Sequence, residues 1–146
     1  MKIHINSESN QKEIEISIRC NGLTPEIEKI IAMLRMLDMQ LTGRWNGETF
    51  LIDAAQVLYI DTIDRKTFLY TRDKVYETNL HLYELEEQLA GSGFFRINKS
   101  CIINGKHIVS LKAELDRKIR ATMDNGEQLM ISRQYAEGIK ERLGVK

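Results

Sequence analysis

Cysteine is scarce in this 146-residue chain: there are two, Cys20 and Cys101, with three histidines, His4, His81 and His107, spread far apart. Both cysteines sit inside apolar patterns, which predicts buried free thiols instead of a bridge. No Cys/His spacing matches a zinc site, so no metal is expected. No apolar run approaches the ~20 residues that cross a bilayer. No basic-then-apolar leader opens the sequence, since Met1-Lys2-Ile3-His4-Ile5 already alternates like a strand. A cytoplasmic protein is expected. Internal repeats and low-complexity stretches are missing too. So are enzyme signatures: no glycine loop precedes a Lys-Ser/Thr pair, and the Gly-Ser-Gly at 91–93 reads as a turn after a helix end. Glu86-Glu87 falls on an exposed helix face. Neither catalysis nor a cofactor is expected.

Net charge is also lacking, with 21 Lys/Arg against 21 Asp/Glu. The zero hides an asymmetry. Residues 45–90 hold 4 basic and 9 acidic side chains, whereas residues 91–146 hold 11 and 6. A neutral protein with a basic C-terminal third can show a basic face to an anionic partner. Alternatively, the acidic middle and basic end neutralise each other across the fold.

What is present is enough for one domain plus a small extension: 42% hydrophobic and 29% charged residues. Residues 2–6 and 13–20 alternate (Ile3, Ile5; Ile14, Ile16, Ile18, Cys20) around a polar turn, which predicts a hairpin. A helix over 24–41 follows, with Thr24 as N-cap, Pro25 in the first turn and Glu26 and Glu28 at its positive end. Ile27, Ile30, Leu34, Leu37 and Leu41 form its stripe, widened by Ile31 and flanked by Met33 and Met36. That is more apolar surface than one small sheet face covers. Ile27, Ile30, Met33, Leu34, Met36 and Leu37 are therefore candidate dimer contacts. A plain core helix is the alternative.

From Trp45 onward the character is short strands and turns. Strands are predicted near 49–53, 57–63, 67–71, 74–78, 107–113, 117–123 and 127–131. Leu82, Leu85 and Leu89 mark a short helix, Asp124-Asn125-Gly126 a hairpin turn, and Ser132 the cap of a last helix carrying Ala136, Ile139 and Leu143 inward. The predicted division is a ββα extension over 1–44 and a strand-rich domain over 45–146, with the boundary at Thr42-Gly43-Arg44.

Between Phe94-Phe95 and Ile102-Ile103 lies a polar tip, Arg96-Ile97-Asn98-Lys99-Ser100, held by core anchors on both sides. Arg65-Lys66 occupies another tip. Arg133 stands at the positive end of the last helix, a mild local penalty that an external anion or base edge would relieve, as would solvent or a nearby acid. Lys118 and Arg120 share the outward face of one strand and could track a phosphate backbone, or form an ordinary solvated face.

"FFRINKSCIINGKHI" followed by "NGEQLMISRQYAEGIKERL" closely resembles the LytTR DNA-binding domain family. The family pattern is Phe-x-Arg-x-His-(Lys/Arg)-Ser-(Tyr/Phe)-(Ile/Val)-(Ile/Val)-Asn, then a strand pair, Asn-Gly, and Ser-Arg at the last helix. "VLYIDTIDRKTFLYT" and "LYELEEQL" match its earlier strands and helix, so the resemblance covers about residues 45–146. It implies a mainly β (α+β) fold, an elongated core of short antiparallel strands with short helices. Its loops, not a recognition helix, enter successive major grooves of double-stranded DNA. Position by position, the base-reaching loops fall near Arg65-Lys66, on Lys99 and on Arg133, with Asn98 and Ser100 beside them. Arg96 matches the family arginine and could instead hold the loop from within. Asn98 replaces the family histidine and cannot become charged. Cys101 replaces an aromatic.

The N-terminal piece resembles that of small stand-alone regulators of the family. Residues 1–44 are too few for a phosphoacceptor receiver, so no switching by phosphorylation of a domain in this chain is expected. The resemblance implies a transcription regulator acting as a homodimer on paired half-sites. An interaction module that regulates another transcription factor, or works with a co-regulator protein, is the alternative.

Overall fold

Alternation decides most of this structure, a computed structural model that describes residues 1–37 and 39–145. In β3 (Val57–Ile63) and β7 (Cys101–Asn104) burial is nearly continuous, as in strands covered on both faces. Strands nearer the edges alternate. β1 (Gln40–Trp45) buries Leu41 and Gly43 and exposes Gln40 and Thr42. β2 (Glu48–Asp53), β4 (Lys66–Thr71), β5 (Val75–Thr78) and β6 (Phe94–Asn98) complete a seven-stranded antiparallel sheet in the order β2-β1-β5-β4-β3-β7-β6. A second sheet of three strands, β10-β9-β8, is built from β8 (Ile108–Ala113), β9 (Ile119–Met123) and β10 (Gln128–Ile131). Three helices accompany them: α1 (Pro25–Met36), α2 (Leu82–Gln88) and α3 (Arg133–Leu143). The mainly β fold expected from the sequence is the one found.

The core has two parts. One gathers Leu41, Ile52, Val57, Ile60 and Leu69 of the large sheet under Leu82, Leu85 and Leu89 of the α2 segment. The other holds Leu58, Ile97 and Ile103 of the large sheet against Ile119, Ala121, Met123 and Ile131 of the small sheet and Ala136 and Ile139 of α3. Of the anchors around the polar tip, Phe94, Ile102 and Ile103 are buried, and Phe95 is half-buried against the second core part.

The sheets are also fastened by polar contacts at the β9–β10 turn. His107 places Nδ1 2.6 Å from Asp124 Oδ2 and Nε2 2.6 Å from the Ala55 carbonyl oxygen. The ring thus bridges the β9–β10 turn to the segment that precedes β3. Arg72 donates to the other Asp124 oxygen at 2.9 Å. The Tyr59 hydroxyl donates to Glu127 of the same turn. The His107 hydrogen bond, helped by Arg72, holds the Asp124 carboxyl below the usual carboxylate range. A depressed folded pKa means that Asp124 contributes fully above the unfolded value near ~3.9 and loses that contribution as pH falls through the lower folded value. Urea midpoints measured between pH 5 and pH 3 should fall more steeply for the wild type than for Asp124→Asn. Parallel curves would show that the contact adds nothing.

Several expectations change. The pair of strands over 2–6 and 13–20 is not formed: residues 1–24 carry no strand and are exposed, Ile14 at 94%. A two-stranded hairpin is marginal alone, and nothing here covers its apolar face. Cys20 is exposed with that segment, whereas Cys101 is buried and its thiol is pushed up to about 12, chiefly by desolvation. The helix expected over 24–41 ends at Met36 (position 38 lies outside the described residues). Leu41 instead enters β1, whose six residues all pair with β2 through the Asn46-Gly47 turn, so the expected boundary at 42–44 falls inside a strand. Gly43 is required there, because a Cβ would lie 2.6 Å from that of Tyr76. Met36 is turned into the chain's own core, while Met33 and Leu37 are exposed and Ile27, Ile30 and Leu34 are half-buried.

Candidate nucleic-acid interface

The polar tip is a two-residue hairpin, Lys99-Ser100, between β6 and β7, with Asn98 paired to Cys101. Its shape is set from within. Arg96 donates through Nε to the Asn98 carbonyl at 2.8 Å and through a terminal nitrogen to the Lys99 carbonyl, and it lies 3.5 Å from Glu86. Arg96 is thus an internal brace. Asn98 also turns inward: Oδ1 accepts from the Ser100 N–H at 2.9 Å and its hydroxyl at 3.2 Å, and Nδ2 faces the Met130 carbonyl at 3.5 Å. That leaves Lys99 exposed at the summit. Asn104 closes the base, fully buried, donating to the Val57 carbonyl at 2.9 Å and accepting from the Lys106 N–H at 3.1 Å.

Register brings the other tips alongside. The Thr62 N–H donates to the Ser100 carbonyl at 2.9 Å, so β3 ends beside the polar tip and leads into Asp64-Arg65. Both of these residues have positive φ, 51° and 65°, the conformation of a tight hairpin turn. Arg65 and Lys66 are exposed. On the other flank, the Ser132 N–H donates to the Ile97 carbonyl at 2.8 Å. Ser132 is the N-cap of α3 by position but makes no side-chain cap bond. Its backbone instead ties the helix start to β6 and sets exposed Arg133 beside Lys99's loop.

In the small sheet the last pair is Ile119 with Ile131. One residue beyond it come Lys118 on one strand and Ser132 on the other, so exposed Lys118 joins the same end. Arg120 does not join in the same way. Its Nε lies 3.0 Å from Glu114, positioned for an ion pair but not for a hydrogen bond, and its Nη1 donates to Gln128 at 3.2 Å.

The resulting row runs Arg65-Lys66, Lys99, Arg133, Lys118. None of these side chains has an ion-pair partner among the described residues. Sequence reasoning missed Arg117, which stands at the same tip as Lys118, exposed and at φ 62°. The available signal was a repeated tripeptide: Asp-Arg-Lys occurs at 64–66 and again at 116–118.

Comparison with known proteins points the same way. Residues 47–144 match the family model described as the LytTr DNA-binding domain. The chain is 31% identical over 99% of both chains to an uncharacterized HTH-type transcriptional regulator of Staphylococcus aureus strain NCTC 8325, and 30% identical over the same share to one of strain MRSA252. It is also similar to the LytTr DNA-binding domain of a putative methyl-accepting/DNA response regulator from Bacillus cereus. There the TM-score is 0.68 and the identity 26%, covering 72% of this chain and 96% of that one. Strands separate all three helices here, so the helix-turn-helix in the relatives' name has no counterpart among the described residues.

Proposed function

The chain belongs to the LytTr DNA-binding domain family, and from that premise we propose that it is a cytoplasmic transcription regulator that reads double-stranded DNA with the row of loops at one end of its sheets. The observation that carries the reading is the register, which lines up Arg65-Lys66, Lys99, Arg133 and Lys118 without internal partners. From β4 to β6 the row crosses three interstrand steps of about 4.8 Å, roughly 14 Å, and the single Ser132 N–H to Ile97 carbonyl bond carries it on to the small sheet. Outstretched Arg and Lys side chains at both ends extend it toward the ~34 Å that separates successive major grooves. Lys66 and Lys118 contact phosphates, while Lys99 and Arg133 reach base edges. Asn98 and Ser100 shape the tip, and Arg120 supports its strand from the Glu114 ion pair.

One row serves about one turn of duplex, so paired half-sites call for two copies. The exposed Met33 and Leu37 on α1 are the proposed contact between them, with half-buried Ile27, Ile30 and Leu34 behind. Fluorescence anisotropy against a duplex selected by the full chain from a randomised pool, and against its scrambled version, tests the reading. The expected result is sequence-dependent binding that weakens steeply with salt, cooperative on two half-sites. Absence of preference at any salt with the protein folded would overturn DNA reading, and a strict monomer at micromolar concentration would overturn the dimer. The exposed Ile3, Ile5, Ile14 and Ile16 favour a second reading, an interaction module for another regulator. In that case Lys99→Ala would leave partner binding intact.

A further inference from the structure

We infer that Arg117, in the turn that carries Lys118, grips a second phosphate next to the groove that Arg133 enters. This rests on the DNA-binding reading above and adds a residue to it.

The turn sits where such a contact must be. β9 pairs with β10 up to Ile119 and Ile131, and the next residues outward are Lys118 and Ser132. Arg117 precedes Lys118 in the turn, and Arg133 follows Ser132 as the first residue of α3. The turn also lies against α3, whose first residue is Arg133. The contact between the turn and α3 brings Arg117 to the end of the small sheet from which Arg133 starts the helix. The turn is a closed unit: Glu114 N–H donates to the Lys118 carbonyl at 2.9 Å, and Lys118 N–H to the Leu115 carbonyl at 3.3 Å.

Its backbone gives the second argument. Asp116 and Arg117 have φ of 60° and 62°, matching Asp64 and Arg65 at the other end of the row. Asparagine and glycine are the residues that suit such a pair of positions. Aspartate tolerates it, but arginine has a Cβ and gains nothing from it. Glycine at 117 would make the turn easier. A long cation held in an unfavourable backbone conformation, exposed and without an ion-pair partner among the described residues, serves nothing inside the fold. At the base of the turn, Glu114 neutralises Arg120, so the tip itself carries Arg117 and Lys118 against the single Asp116. The two Asp-Arg-Lys turns thus bracket the base-reaching residues from either side.

A bracket of this kind positions without reading sequence. Arg117→Gly keeps the turn, because glycine accepts the positive φ, so a loss of folding cannot mimic the effect. The test is anisotropy of the full chain with a pool-selected duplex and its scrambled version between 50 and 300 mM salt. Arg117→Gly should bind both duplexes about 3- to 10-fold more weakly near ~150 mM salt, and the slope of log K against log salt should shrink by about 0.9. Arg117→Lys should restore the slope. Unchanged affinity and slope in Arg117→Gly would overturn the inference. Loss of discrimination with scrambled-duplex binding intact would also overturn it, making Arg117 a base reader. If the wild type binds neither duplex in a salt-dependent way, the DNA-binding reading itself fails and this one with it.

Discussion

Replacing Lys99 and Arg133 together by alanine should abolish sequence-specific DNA binding while leaving the fold intact. Each side chain is exposed and has no ion-pair partner among the described residues. Each single substitution should therefore cost about 1–3 kcal/mol of specific binding, some five- to 150-fold, with no penalty from an orphaned internal group. The two loops are joined through the Ser132 N–H to Ile97 carbonyl bond, so the double loss need not be the simple sum. A bidentate arginine discriminates guanine by about 1–3 kcal/mol, so Arg133→Ala should relax preference at one base pair of each half-site. Binding to scrambled duplex should fall far less. Circular dichroism and thermal melts of the double variant should overlay the wild type. A double variant that keeps its full preference would remove these loops from the interface.

Much of this arrangement was legible because strands and turns carry local signals. The apolar run of β3, the alternation in β4 and β9, the Asn125-Gly126 turn and the Leu82/Leu85/Leu89 spacing each place an element without knowledge of its neighbours. The core anchors around Lys99 were legible for the same reason. Longer-range contacts were not. Nothing local says that Leu41 leaves a helical stripe to enter β1; the six-residue pairing with β2 decides it, and the Asn46-Gly47 turn was its only local trace. The alternating Ile residues of 2–20 read as a hairpin, but a strand forms only where something pairs with it or covers it. The inward use of Arg96, Asn98 and Arg120 was hidden as well. A charged or amide side chain looks the same in sequence whether it meets solvent, DNA or a carbonyl within its own loop.

Ile97 is where stability and the proposed interface meet, and Ile97→Ala should be the most damaging single change in the loop. The side chain is fully buried among Leu58, Ile103, Ile119 and Ile131, between the two sheets. Removing three carbons leaves a cavity in a seam held by β6 and α3, which relaxes poorly, and large-to-small changes of this kind cost about 2–5 kcal/mol. Against a total stability of order 5–15 kcal/mol that is a large share. At about 2–4 °C per kcal/mol, the melting temperature should drop by some 4–20 °C. Arg96→Ala provides the contrast. It removes the brace on the Asn98 and Lys99 carbonyls, at a partly exposed position, without opening the core. It should cost about 1–2 kcal/mol of stability, because carbonyls at a loop tip recover water. Under the proposed reading it should weaken specific DNA binding out of proportion, because Lys99 then samples many positions and must be ordered on binding. Measured well below both melting temperatures, Ile97→Ala should keep most of its DNA affinity and Arg96→Ala should not. The reverse order would mean that packing, and not the brace, holds the tip in place for DNA.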